Sequence, residues 1–479
     1  MPVPWWSVLP FALMLACIAV LPLMHATERV WERNAVKLAA SLILGLPIAV
    51  WFTLAGAGLE VVHALVEYVQ FILLLLALFV VSGGIFLAGD IRATPRNNTV
   101  FLAVGALIAS FIGTTGAAML LIRPMLNTNK ERAHRVHTVV FAIFIVANCG
   151  GLLTPLGDPP LFLGLLRGVP FTWTFGLWPH WLFVNGLLLL TYYALDRRAY
   201  ARETDAAIAF DDTNVTPLGV LGKLNFVFLA GVIAAVAFLP SIDLHAIEEG
   251  HATFTQLVPW RELAFLAAAG LSFWLGDKRA RFEFNQFSWT PILEVAALFV
   301  GIFLTMVPAL NYLAQIAPTL PLNAVTFFVF TGGLSAVLDN APTYATFFEM
   351  AAQLPGEPRV AGVPEVYLVS ISLGAVLCGA ITYIGNGPNF MTKAVADAGG
   401  VRMPSFGGYV RWAFVYLVPV LAAMLLLFIA DGWVWKAAGG ALALGLAGRA
   451  AWVARAHVHP SEVPDAARAR NAPDDDIRA

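Results

Sequence analysis

Thr154-Pro155-Leu156-Gly157-Asp158-Pro159-Pro160 and Thr382-Tyr383-Ile384-Gly385-Asn386-Gly387-Pro388 are two copies of one pattern, Thr-x-x-Gly-[Asp/Asn]-x-Pro. Each interrupts a long apolar segment, residues 136–166 and 364–393. Segments of that length without period-two alternation read as helices crossing a bilayer. Glycine, an acid or amide, and proline in close succession break such a helix. The break frees N–H groups at the start of one half and C=O groups at the end of the other. Hydrocarbon offers those groups no partner, so a broken helix persists only where it lines a cavity or a site.

Outward from the breaks the copying continues. Ahead of the first, Gly113-Thr114-Thr115-Gly116 splits the apolar segment 99–126 into a hairpin. Ahead of the second, Asp339-Asn340-Ala341-Pro342 splits segment 323–350 in the same way. Further out, Ala77-Leu78-Phe79-Val80 returns as Ala297-Leu298-Phe299-Val300. Short matches rich in Gly and Pro arise by chance in membrane helices, but three features in the same order mark an internal repeat. Its copies cover about 68–195 and 291–430.

Composition agrees with a membrane solvent. Hydrophobic residues make up 59% of the 479 and charged residues 12%, about half the quarter usual in a soluble domain. Mean hydropathy is +0.78. Those values exclude a soluble enzyme, a disordered regulator and a nucleic-acid binder, and a net charge of −2 gives no field to steer partners. Cys17, Cys149 and Cys378 all lie in apolar runs and form neither a disulfide framework nor a metal knuckle. No Lys or Arg precedes Trp5, so the apolar stretch 5–24 is expected to be a span rather than a cleaved signal peptide.

Basic residues set the expected topology. With the N-terminus outside, Arg29, Arg33 and Lys37 fall inside. So do Arg92, Arg96, Lys130, Arg132, Arg135, Arg197, Arg198, Arg202, Lys223, Lys278, Arg279, Arg281, Arg402, Arg411 and the arginines from Arg449 onward. Only Arg167, Arg261, Arg359 and Lys436 fall outside. If the first hairpin crossed fully, every loop up to the second would change side and the bias would collapse. Both hairpins are therefore expected to be re-entrant, one from each face. The expected fold is an all-α polytopic membrane protein with inverted repeats, two re-entrant hairpins, two broken helices and about eleven transmembrane spans. Residues 1–455 form the transmembrane domain, and 456–479, rich in Ala, Asp, Arg and Pro, a disordered cytoplasmic tail. The location is an inner membrane, multi-pass, with the C-terminus cytoplasmic.

Paired broken helices in inverted repeats mark the binding site of a secondary transporter. Asp158 has a plain role as a turn-former before Pro159, but its depth in an apolar run favours a ligand for a proton or cation. Asp339 likewise has an Asx-turn role before Pro342; with Asn340 and Thr343 it supplies the hard oxygens a monovalent cation takes, facing Asp158 across the repeat. Asn386 and Asn389 stand in the second break, and Thr114 and Thr115 in the first hairpin, as neutral oxygens completing the coordination. Thr154, Gly157 and Thr382 belong to the shared pattern. Asn148 either joins the site or donates to freed carbonyls. Glu294 reads as snorkelling and Arg123 as an interfacial anchor, with a countercharge role as its alternative. No Gly-x-x-x-x-Gly-Lys-[Ser/Thr] motif is present, so no ATP motor is built in.

At these residues the chain resembles the ion transporter superfamily of NhaD-type sodium/proton antiporters, arsenite permeases, and citrate or dicarboxylate carriers. Asn148-Cys149-Gly150-Gly151 leading to Thr154-Pro155-Leu156-Gly157-Asp158 is similar to the NhaD-type signature. Asp339-Asn340-Ala341-Pro342 is similar to that group's Asp-Asn-x-Pro hairpin tip, and the citrate-transport branch is resembled as well. Thr114-Thr115 departs from a fully acidic pattern. The resemblance implies a homodimer with scaffold and transport domains and a rigid-body shift of the site. The expected function is a sodium (or other monovalent cation)/proton antiporter working by alternating access, because the candidate ligands carry net negative charge. The alternatives are a cation-coupled citrate or organic-anion carrier, using Thr and Asn at half-helix N-termini for carboxylate groups, and a channel-like pore. Expected partners are membrane lipid, the transported monovalent cation and the proton, with no enzymatic activity, no cofactor and no nucleic acid.

Overall fold

The computed structural model describes residues 3–24, 27–31, 33–213, 216–242 and 244–455. The expected tail, 456–479, lies outside the described residues. The chain opens with helices α1 (Leu9–Val20), α2 (Asn34–Leu54) and α3 (Gly58–Ser82). A helix pair, α4 (Pro95–Ile112) and α5 (Thr114–Thr128), precedes α6 (Val136–Ile145), a break, and α7 (Pro159–Leu166). Next come α8 (Trp178–Tyr200), α9 (Asn225–Phe238), α10 (Trp260–Leu275) and α11 (Thr290–Ile316). A second pair, α12 (Ala324–Ser335) and α13 (Asn340–Ala352), precedes α14 (Glu365–Cys378), a second break, and α15 (Gly387–Ala398). The helical spans end with α16 (Phe406–Ile429) and α17 (Trp433–Arg455).

Five helices among the described residues, α2, α3, α11, α16 and α17, are long and apolar enough to cross a membrane. Shorter apolar helices, including α6, α9, α12 and α14, accompany them. The protein is an all-α polytopic membrane protein. Two departures from the sequence reading have physical reasons. Helix α3, which the apolar run places at residues 68–88, begins at Gly58, because its polar residues find partners: Glu60 accepts from Asn311 at 2.5 Å and Glu67 pairs with Arg167 at 3.3 Å. The apolar run also does not stay helical to residue 88. It stops at Gly83-Gly84, and strand β1 (Phe86–Asp90) pairs antiparallel with β2 (Thr216–Leu221). A bulge between Ala88 and Asp90 uses Gly89 at φ +107°, a conformation open to glycine.

The chain forms two compact units: residues 1–85, 159–173 and 222–375 in unit one, and 86–158, 174–221 and 376–479 in unit two. In unit one, α2 and α3 pack on α11, and Phe71 stacks on Phe299 with centroids 5.0 Å apart. Ile48, Phe52, Leu304 and Val307 share a core cluster. Glu294 keeps 42% of its side chain exposed while holding the buried Lys37 at 2.5 Å, which joins the snorkelling position to an ion pair. Helix α13 packs on α7 in unit one, and α5 packs on α15 in unit two. In each unit the second helix of a hairpin meets the second half of the other copy's broken helix, a symmetric pairing that suggests an internal repeat.

Unit two also buries a charged cluster. Arg132 Nη2 donates to Asp196 Oδ1 at 2.6 Å, and His137 Nε2 lies 2.8 Å from the same oxygen. The Glu203 carboxylate accepts from the backbone N–H groups of Ala133 and His134, each at 2.9 Å. These contacts tie the loop after α5 to the end of α8. Burial disfavours the Glu203 charge, but the His134 side chain, the two N–H groups and Arg132 outweigh it and hold the carboxyl below its ordinary 4.5. The stability it contributes is present above pH 4.5 and is lost as pH falls through the lower folded-state value. Glu203→Gln is therefore expected to flatten the acid limb of a thermal-melt series in detergent. Asp196→Ala takes from the buried Arg132 its closest carboxylate, leaving Glu203 at 3.8 Å, and is expected to cost up to about 3–5 kcal/mol and lower the midpoint throughout.

Candidate functional site

The first hairpin turns at Gly113, whose φ of +83° ends α4 and starts α5 without a capping side chain. Thr114 is therefore the first residue of α5. Its N–H donates to the Gly157 carbonyl at 2.8 Å, and its hydroxyl donates to Asp158 Oδ1, also at 2.8 Å. From the second break, Asn386 sits at the N-cap of α15 with extended backbone, yet its side chain does not cap that helix. It donates instead to Asp158 Oδ1 and Asn148 Oδ1, both at 3.2 Å, and to the Ala147 carbonyl at 3.3 Å. Asn148 donates to Asn389 Oδ1 at 2.6 Å, and Asn389 donates to the carbonyls of Gly379 and Thr382. One buried network thus runs Asn389, Asn148, Asn386, Asp158, Thr114, all within unit two. Asp158 is 1% exposed.

The shared pattern has a local meaning. Thr154 accepts the N–H of Leu156 at 3.1 Å, and Thr382 accepts those of Ile384 and Gly385 at 3.2 Å. Both hydroxyls shape the turn that follows. Thr154 also donates to the Ser110 carbonyl. Gly157 is required by close approach, since a Cβ there would stand 2.0 Å from the Gly151 carbonyl oxygen. Thr115, one residue past Thr114, is half-buried.

The carbonyls freed by the breaks are already acceptors. Gly150 receives Ser110 and the Trp181 indole, Cys149 receives Asn185, Leu153 receives Thr174, and Ile143 receives Asn148. In the second break Ala380 receives the Tyr409 hydroxyl at 2.8 Å. Sequence reasoning missed Ser110, Thr174, Trp181, Asn185 and Tyr409. An isolated polar residue in an apolar segment signals that it has a partner but not which one. For Asn148, which was open to both roles, the structure shows donation to a freed carbonyl and membership of the network.

Asp339, Asn340 and Thr343 lie in unit one. Asp339 caps α13, accepting the Ala341 N–H at 3.0 Å, and the Thr343 hydroxyl donates to the Asp339 carbonyl at 3.0 Å. Asn340 is fully buried. Asp339 thus takes the Asx-turn role. Arg123 is half-buried in α5, immediately before Pro124. Among the described residues no group of three or more His, Cys, Asp or Glu is placed to hold a metal ion.

Known proteins resemble this chain along most of its length. A "46 kDa membrane protein" of Mycobacterium leprae is 22% identical over 405 residues, 81% of this chain and 90% of that protein. Uncharacterised transporters of Mycobacterium bovis and Mycobacterium tuberculosis are each 25% identical over 366 residues, 72% of this chain and 80% of theirs. Residues 1–429 match the model of a family described as "Putative citrate transport". The chain belongs to that citrate-transport family, and it is a polytopic membrane transporter rather than an enzyme.

Proposed function

We propose that the protein is a cation-coupled carrier of citrate or a related carboxylate anion, working by alternating access at the Asp158 cluster. The carrying observation is that α5 and α15 both start without a side-chain cap, and that Thr114, the first residue of α5, and Asn386, the N-cap residue of α15, meet at one oxygen of Asp158. Each helix N-terminus is worth about half a positive charge, so two offset about one carboxylate. The cluster is then near neutral when empty. A monovalent cation held by Asp158, the Thr114 hydroxyl and the asparagine oxygens makes it net positive, and only then does it favour an anion's carboxylate at the helix N-termini. This charge balance supplies the coupling. The family match supports the anion, and the freed carbonyls named above already accept from side chains of this chain.

The same proposal includes inverted repeats at about 68–195 and 291–430 and about eleven spans with two re-entrant hairpins. It places the protein in an inner membrane as a homodimer, N-terminus outside and C-terminus cytoplasmic. Asp339, Asn340 and Thr343 form the equivalent set of unit one, and Thr115 and Thr382 stay at the margins of the site. A second reading, NhaD-type monovalent cation/proton antiport, draws on Asp158 alone, since a buried carboxylate holds a proton or a sodium ion in turn.

Sodium titration of the purified protein at several pH values, with and without citrate, separates the two. In the carrier, citrate is expected to tighten sodium binding by about 5–150-fold. In the antiporter, sodium affinity would weaken by up to about tenfold per pH unit and ignore citrate. That second outcome would overturn the carrier.

A further inference from the structure

Away from the Asp158 cluster, unit two brings two further carboxylates together at the C-terminal end of α5. Asp90 is the last residue of β1, next to the Gly89 bulge, and Glu131 stands in the loop after α5. Strand β1 packs on α5, which places the two acids side by side. Both are buried: the Asp90 side chain is 7% exposed and that of Glu131 10%. Lys130 reaches in between them. Its Nζ donates to Asp90 Oδ2 at 3.1 Å and lies 3.5 Å from Glu131 Oε1. The second oxygen of each acid, Asp90 Oδ1 and Glu131 Oε2, is shut off from solvent and meets no donor. A buried carboxylate oxygen without a partner is costly and uncommon.

The surrounding charges do not fill this gap. Among the described residues, Lys130 is the only cation within 4 Å of either acid. Arg132 is committed to Asp196 and Glu203. Arg135 lies within electrostatic range of Glu131 without pairing with it, and donates to the Gly400 carbonyl at 3.4 Å. The C-terminal end of α5, at Thr128, adds about half a negative charge. One ammonium therefore serves two buried carboxylates. The partners also differ in freedom, since the acids are held inside while the Lys130 side chain is 47% exposed. A half-exposed ammonium exchanges such a contact for water at little cost.

We propose that Asp90 and Glu131 bind a hard divalent cation, calcium or magnesium, in the place of the Lys130 ammonium, which swings out to water. The two unmet oxygens let each acid turn a second oxygen to the ion, and water and backbone carbonyls complete its shell. A donor set made of oxygens alone suits these ions better than zinc or copper. The bound ion ties the end of β1 to the loop after α5. This site is separate from the Asp158 cluster and does not depend on what that cluster carries.

The test is calorimetric titration of the purified full chain with calcium chloride and, separately, magnesium chloride, in citrate-free buffer with excess potassium chloride. One ion per chain is expected. Lys130→Gln is expected to bind it at least about tenfold more tightly, because the competing charge is gone and both carboxylates remain. Asp90→Asn/Glu131→Gln is expected to bind at least about tenfold more weakly. Asp158→Asn is expected to bind as the wild type does. Should the double acid variant not fold, Lys130→Gln carries the test, since its side chain is half-exposed and the change leaves both acids in place. Affinity unchanged or weakened in Lys130→Gln would overturn the proposal and mark an ordinary ion pair. So would loss of binding in Asp158→Asn, which would assign the ion to the transport cluster, or no binding of either ion by the wild type.

Discussion

Asp158→Asn is expected to reduce sodium-driven citrate uptake in proteoliposomes to background while the protein stays monodisperse in detergent. Asparagine keeps an oxygen where Asp158 Oδ1 accepts from Thr114 and Asn386, so the break retains those two donors. What disappears is the charge. A unit charge about 4 Å from a cation, at an effective dielectric constant of about 20, is worth about 4 kcal/mol. That corresponds to about a thousandfold loss of cation affinity. In the charge balance proposed above, a cluster without its cation keeps two helix N-termini and no carboxylate, so citrate binding itself need not vanish. Uptake should lose its sodium dependence first. Wild-type sodium-driven uptake in the monodisperse variant would remove Asp158 from the cation site.

Gly157→Ala is expected to cost more in folding than any other single methyl added at the breaks. The new Cβ would lie 2.0 Å from the Gly151 carbonyl oxygen and 2.6 Å from its carbon, and both are backbone atoms. Overpacking against movable side chains costs about 1–3 kcal/mol. Here the backbone has to part, which also endangers the Thr114 N–H bond to the Gly157 carbonyl, worth about 1 kcal/mol. The expected result is polydisperse protein with a thermal midpoint well below wild type and no uptake. Gly387→Ala, in the second break, is the control: its Cβ would meet no atom within 4 Å, so it should melt as the wild type does. Equal midpoints for the two variants would show that the Gly151–Gly157 crossing is not as close as described.

The sequence by itself determined that this is a helical membrane protein with two interrupted helices, because those signals are local. Apolar length, the absence of alternation, and Gly, Asp or Asn and Pro within a few residues need no knowledge of neighbours. The same local logic placed Asp158, Asn386, Asn148 and Thr114 at the breaks. It started the segment of α3 at residue 68, ten residues late, leaving out Glu60 and Glu67, which pair with Asn311 and Arg167. It also left Thr154 and Thr382 as candidate ligands, although their hydroxyls are engaged in the turns. Only the tertiary structure decided which donor satisfies which freed carbonyl, and that Thr114 and Asn386 meet at one oxygen of Asp158. The physical reason is distance along the chain. Asn386 and Asp158 stand 228 residues apart, and Asn148 and Asn389 stand 241 apart. A break announces from nearby residues that its polar groups need partners, but those partners arrive only when remote helices pack.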